Sequence, residues 1–185
     1  MKKILDIPHV AQHHDSIPEE WYTRFCGIAC LKMIMEYKGV KVDSLDLLNE
    51  GQIIGGYNST IGWDHNSLVR LLRNHGISSY PQEFRSIKID IESKDMTDSS
   101  EENNFLEKGI EKIRESIDNG NPVMVSVAAG FGENGSPHVV LVVGHDDDNL
   151  YFNDPNNEDG EIKKAHRMNK GRFLRYWRQF SIFID

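Results

Sequence analysis

The stretch RFCGIACLKMIMEYKG runs from Arg24 to Gly39 and holds both cysteines of the chain, Cys26 and Cys30. From Cys26 onward its apolar residues, Ile28, Leu31, Ile34, Met35 and Tyr37, recur at spacings of three and four, which predicts a helix with one buried face. Gly39 supplies a C-terminal stop. The two sulfurs lie one helical turn apart at the head of this stripe. Cys26 falls in the first turn, where free N–H groups and the helix dipole favour a thiolate, and Gly27 leaves it uncrowded. Cys30, one turn deeper, is expected to pack. A disulfide between them is disfavoured, because i, i+4 geometry does not make their side chains converge. A zinc site lacks any Cys-x-x-Cys or His-x-x-x-His partner. Since a cysteine near an apolar helix is ordinarily core filler, Cys26 acquires meaning only from residues elsewhere.

Working outward, ILDIPHVAQ reads as a short strand entering a loop, and HHDSIPEEWYTRF as a polar loop. VDSLDLLNEG predicts a second helix, capped by Asp43 or Ser44 and stopped by Gly51. GGYNSTIGW is glycine-rich loop, and DHNSLVRLLRNHG predicts a third helix capped by Asp64. ISSYPQEFRSI reads as weak strands or an extended loop. Residues 90–104 carry six acidic residues and one lysine with almost nothing to bury, the pattern of an acidic surface insertion. FLEKGIEKIRESIDNG predicts a fourth helix ending at Gly120. There the period switches: PVMVSVA (122–128), HVVLVVGHD (138–146) and NLYFND (149–154) are β-rich runs separated by turn residues. NKGRFLRYW looks helical and FSIFID closes as a strand. Helices followed by consecutive strands that can pair antiparallel give an α+β class, in a single domain over 1–185.

A length of 185 residues, 38% hydrophobic and 27% charged, suits one globular domain with a sizeable core. With 29 acidic against 21 basic residues, the formal charge of -8 argues against nucleic acid or an anionic membrane as the main partner. The basic cluster Lys163–Arg178, interleaved with aromatics, reads as an amphipathic helix with a solvated face. MKKILDIPHV lacks the apolar core of a signal peptide, and no apolar run approaches a membrane span. The expectation is a cytoplasmic chain. His13, His14 and Asp15 read as solvated, and Asp146–Asp148 as a hairpin turn without the spacing of a calcium loop. No cofactor or metal is expected.

His138 opens a buried-looking strand after the loop AGFGENGSP, and Asp154 ends the next strand before Pro155. A hairpin turning at DDDN brings them alongside, so that the carboxylate can orient the imidazole and favour its charged form. Taken singly, His138 could be a surface histidine and Asp154 an Asx turn. Together with Cys26 they satisfy the logic of an activated thiol. The Cys26 N–H and the side-chain amide of Gln12 are candidate oxyanion donors.

HVAQHHD, FCGIACLKMIMEYKG, GWDHNSLVRLLRNHGI, GNPVMVSV, HVVLVVGHDDDNLYFNDPN and FLRYWRQFSIFI, in that order, resemble the C39-like peptidases. These are a papain-like cysteine peptidase group that includes the leader-removing domains of bacteriocin exporters. The resemblance implies a papain-like fold, with an N-terminal helical part whose nucleophile helix packs on a C-terminal antiparallel sheet. It also implies site roles: Gln12 lining the oxyanion hole, Cys26 attacking, His138 as base and then acid, and Asp154 orienting His138. The function implied is cleavage of a peptide or related amide through a Cys26 thioester. An acyltransferase using the same chemistry, or a non-catalytic peptide-binding module, is the alternative. The loops 13–24, 51–63 and 130–137 are the candidate walls of a substrate cleft.

Overall fold

The computed structural model describes residues 1–14, 16–84, 99–156 and 161–185, and for 99–103 the backbone alone. Its first half is helical: α1 (Cys26–Tyr37), α2 (Ser44–Ile53) and α3 (His65–Asn74) follow the short strand β1 (Lys3–Ile4). Asp43 caps α2 by accepting from the Leu45 N–H, and Asp64 caps α3 by accepting from the Ser67 N–H, each satisfying an amide that the helix start leaves open. A two-rung hairpin, β2 (Tyr57–Asn58) with β3 (Gly62–Trp63), links α2 to α3.

The second half is a twisted antiparallel sheet. Its strands are β4 (Ser79–Glu83), β5 (Val123–Ala128), β6 (Pro137–His145), β7 (Asn149–Asp154), β8 (Lys163–Asn169) and β9 (Trp177–Ile184), with α4 (Ser99–Asp118) and α5 (Lys170–Tyr176) between them. The order is β4-β9-β5-β6-β7-β8, and β1 extends the β5 side of β6 where Val123↔Val142 pairing ends, through Lys3↔His145 and Ile4↔Gly144. The α1 stripe, with Ile28, Cys30, Leu31, Met33 and Ile34 inaccessible to solvent, packs on this sheet. Asn153 on β7 is buried there, donating to the Ile7 and Pro8 carbonyls and accepting from the Ala165 N–H. The α+β reading and its helix-on-sheet arrangement hold. Among the described residues no helix is long and apolar enough to cross a membrane.

Three expectations are corrected. Lys163–Arg178 is not one helix: residues 163–169 form β8, Asn169 caps the short α5 by accepting from the Gly171 N–H at 2.9 Å, and Trp177 already belongs to β9. The exposed side of β7 requires a pairing partner, and a lysine-bearing edge strand satisfies it while discouraging further pairing. Gly51 does not stop α2, which runs on to Ile53; the stop is Gly55, with φ +70°. His13 and His14 are half-buried rather than solvated, ring against ring with Tyr22 and Phe25. Of the acidic stretch, 99–104 begins α4, while 90–98 lies outside the described residues, as does Asp15.

Gly51 is needed for space. A Cβ there would lie 2.7 Å from Cζ3 of Trp63, and a Cβ at Gly27 would lie 3.0 Å from Cδ1 of the same ring. The indole therefore lies flat against α1 and α2 at once, and its N–H donates to the Arg24 carbonyl at 2.7 Å. Trp63 also begins the turn into α3, so one side chain registers all three helices. Gly51→Ala is expected to cost about 1–3 kcal/mol through overpacking and Trp63→Ala about 3–5 kcal/mol through the cavity left behind, read as shifted urea midpoints. The substitution of Gln52, exposed beside Gly51, by Ala serves as the control and should change little.

Candidate active site

Cys26 is the first residue of α1, and Phe25 before it places no capping side chain over the helix start. The sulfur therefore sits where backbone N–H groups point outward. His138 is the second residue of β6 and pairs with Val127 on β5. β7 returns antiparallel to β6 with Leu141↔Asn153, so Asp154 falls beside Val140 and diagonal to His138, on the same face. The consequence is a short contact: His138 Nε2 lies 2.7 Å from Asp154 Oδ1, with both side chains buried. The same Oδ1 accepts from the Asn156 N–H at 2.9 Å, so the carboxylate closes an Asx turn and orients the imidazole at once. With Nε2 so engaged, Nδ1 is the nitrogen left to face the Cys26 sulfur, and the thiol and the imidazole each favour the other's charged form.

The two sulfurs are free thiols with opposite surroundings. Val139 separates them: its N–H serves Cys26, while its carbonyl accepts from the Cys30 thiol at 3.6 Å. Cys26 and His138 lie in the wall of a cleft of about 520 Å³. The other walls come from Arg24, from the hairpin 57–63, and from Ser136 and Pro137, so each of the three loops expected to shape a cleft contributes. Sequence reasoning missed Ser126, His65 and Arg178, which also line it. Alternation along β5 could have flagged Ser126; Arg178 had no local signal. Gln12 is buried, its N–H donating to the Pro155 carbonyl at 2.8 Å beside Asp154, and its side-chain oxygen has no hydrogen-bond partner among the described residues. It is not among the residues lining the cleft.

Residues 4–182 match the model of the Peptidase_C39 like family. The chain belongs to that family. No curated protein matches it, but solved structures share the fold. A putative C39-like peptidase from Bacillus anthracis superposes with a TM-score of 0.67 at 19% identity, over 100% of this chain and 98% of that one. The peptidase domain of Streptococcus ComA, described as a bi-functional ABC transporter involved in quorum sensing, gives 0.58 at 19% identity over 95% and 96%. A double glycine motif protease from an AMS/PCAT transporter, in complex with the leader peptide, gives 0.55 at 14% identity over 98% and 94%.

In this C39-like chain, burial works against charge at both Cys26 and His138, and the mutual contact reverses the outcome. Desolvation alone would raise the Cys26 thiol. The His138 hydrogen bond and charge, with the Val139 and Gly27 N–H groups, hold it below its ordinary value instead. Desolvation alone would likewise lower His138, yet Asp154 and Cys26 push it up to about 10. Asp154 is held below the usual carboxylate range despite its burial, chiefly by the His138 hydrogen bond. Cys30, buried and facing the charges of Cys26 and Asp154, is driven far upward. The contact thus favours the charged form of each of the three groups over what burial alone would leave.

Iodoacetamide at pH 7 is expected to label Cys26 at least about a hundredfold faster than Cys30, since the thiolate is the reacting form. His138→Ala should slow Cys26 labelling by removing the interaction that offsets burial. Equal, sluggish modification of both thiols, followed by mass spectrometry of the peptides, would rule out the ion pair.

Proposed function

We propose that this chain is a thiol peptidase that cleaves a peptide or related amide through a Cys26 thioester. The observation that carries the reading is that Cys26 and His138 share the wall of an open cleft, with Asp154 hydrogen-bonded to His138 behind it. Family membership supports a peptidase, and a structural neighbour bound to its leader peptide supports a peptide ligand.

The chemistry follows from the charges. The Cys26 thiolate attacks the amide carbonyl, and the carbonyl π electrons move onto oxygen. The Cys26 N–H at the helix start and the Gln12 side-chain amide are assigned to that oxyanion. For Gln12 the assignment rests on the family resemblance, with its position beside the strand end that carries Asp154 in support. As the C–N bond breaks, the His138 Nδ1 proton passes to the departing amine, leaving a thioester and a neutral imidazole. His138 then takes a proton from water, hydroxide adds to the thioester, and the thiolate leaves with the imidazolium restored. Asp154 stays ionised throughout and holds the ring in the productive orientation.

Hydrolysis of a quenched fluorescent peptide library should be seen with wild type and lost with Cys26→Ala; turnover that survives this substitution would refute the assignment. Gln12→Ala should lower kcat by about 10²–10³, the usual cost of one oxyanion donor. The pH profile of kcat/KM should rise as Cys26 ionises below the ordinary thiol range. It should fall again near pH 10, where His138 loses its proton, because the neutral ring cannot protonate the leaving amine. Amine adducts appearing in place of hydrolysis would redirect the same chemistry to acyl transfer.

A further inference from the structure

Two guanidinium groups face the cleft together with Cys26 and His138, one from Arg24 and one from Arg178. Neither has a carboxylate partner among the described residues. Among the other described arginines, Arg73 is engaged on the Ser79 carbonyl, Arg114 on the carbonyls of Asp146 and Asp147, and Arg175 on Glu133, whereas the exposed Arg70, Arg167 and Arg172 stand outside the cleft. Arg24 lies over the Tyr57 ring, 5.9 Å from its centroid, an arrangement that orients the group while leaving its N–H donors available. In a chain of formal charge -8, two unpaired cations in one cleft run against the overall charge.

Arg178 is brought there by an irregularity in the sheet. β9 pairs with β5 at Ser181↔Val125, and regular pairing would then set Gln179 opposite Val127. Instead Trp177 is opposite Val127, so β9 carries two extra residues at this point. Gln179 has φ +60°, a left-handed conformation that costs free energy for a residue other than glycine. The distortion is held from three sides. The Trp177 indole donates across it to the Phe180 carbonyl at 3.2 Å, Phe84 N–H donates to the Gln179 carbonyl at 2.8 Å, and Phe180 stacks on His65 at 3.8 Å. Bulges beside active sites commonly re-aim a side chain, and here the side chain delivered to the cleft is Arg178. Two carboxylates lie at this end. Glu83, paired with Phe180 in the sheet and, like Asp64, close enough to act on His65, does not line the cleft. Asp64 does, but its Oδ2 accepts from the Ser67 N–H and hydroxyl at 2.8 and 2.9 Å as the cap of α3. Burial holds the His65 pKa below the ordinary histidine value, with Arg178 adding to the effect and Asp64 and Glu83 opposing it.

We propose that Arg178 and Arg24 form an anion-recognising subsite, so that this chain prefers peptides presenting a carboxylate, from an acidic side chain or a chain terminus, within the cleft. The proposal rests on the peptide-cleaving reading for its ligand class and adds the specificity. A guanidinium recognises a carboxylate through paired N–H donors, and neutral glutamine lacks that partner.

The test uses the full chain carrying Cys26→Ala, which holds peptide without turning it over, and fluorescence anisotropy of dye-labelled hexapeptides. Each peptide carries Glu, Gln or Lys at one position in turn with an amidated C-terminus; a further uncharged set has the C-terminus amidated or free. At one position or at the free terminus, the carboxylate form should bind about tenfold tighter than its neutral match, with Lys weakest. Arg178→Gln in the same background should bring that ratio within about twofold of unity, while Arg178→Lys retains part of it. A preference confined to side chains or to the terminus identifies the source of the carboxylate. Equal binding of Glu, Gln and Lys peptides at every position, or an unchanged ratio in Arg178→Gln, overturns the proposal. Because binding is measured on an inactive chain, a wild type without turnover would defeat the peptidase reading and leave this ratio standing.

Discussion

The Trp63 indole, lodged against Gly27 and Gly51 with its N–H on the Arg24 carbonyl, is the contact on which the helical half of the molecule depends. It closes the distance between α1 and α2 to what glycine alone permits, and its own backbone leads directly into the Asp64 cap of α3. The start of α1 is thereby fixed against two other helices. That start is where Cys26 stands, so the position of the sulfur is set by packing and not by its own interactions. The sheet supplies the complementary half, because the β6–β7 register alone decides that Asp154 reaches His138.

Once packing has set these positions, electrostatics governs the site. A buried thiol and a buried imidazole would each, alone, resist ionisation. Brought together, each favours the charged form of the other, and Asp154 adds a second counter-charge on the far side of the ring. Interactions of this kind are stronger where water is excluded, which makes the row sensitive to the loss of any member. Val139 sharpens the division between the sulfurs by presenting its N–H to one and its carbonyl to the other. The same residue that favours thiolate at Cys26 favours thiol at Cys30.

Much of this was legible in the residues. Period 3.6 located the buried stripes of α1 and α3, and apolar β-branched runs located β5, β6 and β7. Their consecutive order implied antiparallel pairing, and with it the meeting of His138 and Asp154. The features that escaped depended on distant partners. Nothing within KKAHRMN marks a strand, because β8 exists to pair with β7. Gly51 resembled a stop because its reason for being glycine lies in a tryptophan twelve positions later. Arg178 was hidden among other cations, since only the two extra residues of β9 turn it toward the cleft. Gln12 was legible as an amide upstream of the nucleophile, but its burial beside Pro155 was not.

The central claim is that Cys26 and His138 share charge as thiolate and imidazolium. The most direct measurement is an NMR titration of the His138 ring nitrogens in protein labelled with ¹⁵N-histidine. An ion pair requires both nitrogens to stay protonated through neutral pH, with proton loss only near pH 10 and an earlier loss in Cys26→Ala. A His138 ring that is neutral at pH 7, and whose titration ignores the removal of the sulfur, would contradict it.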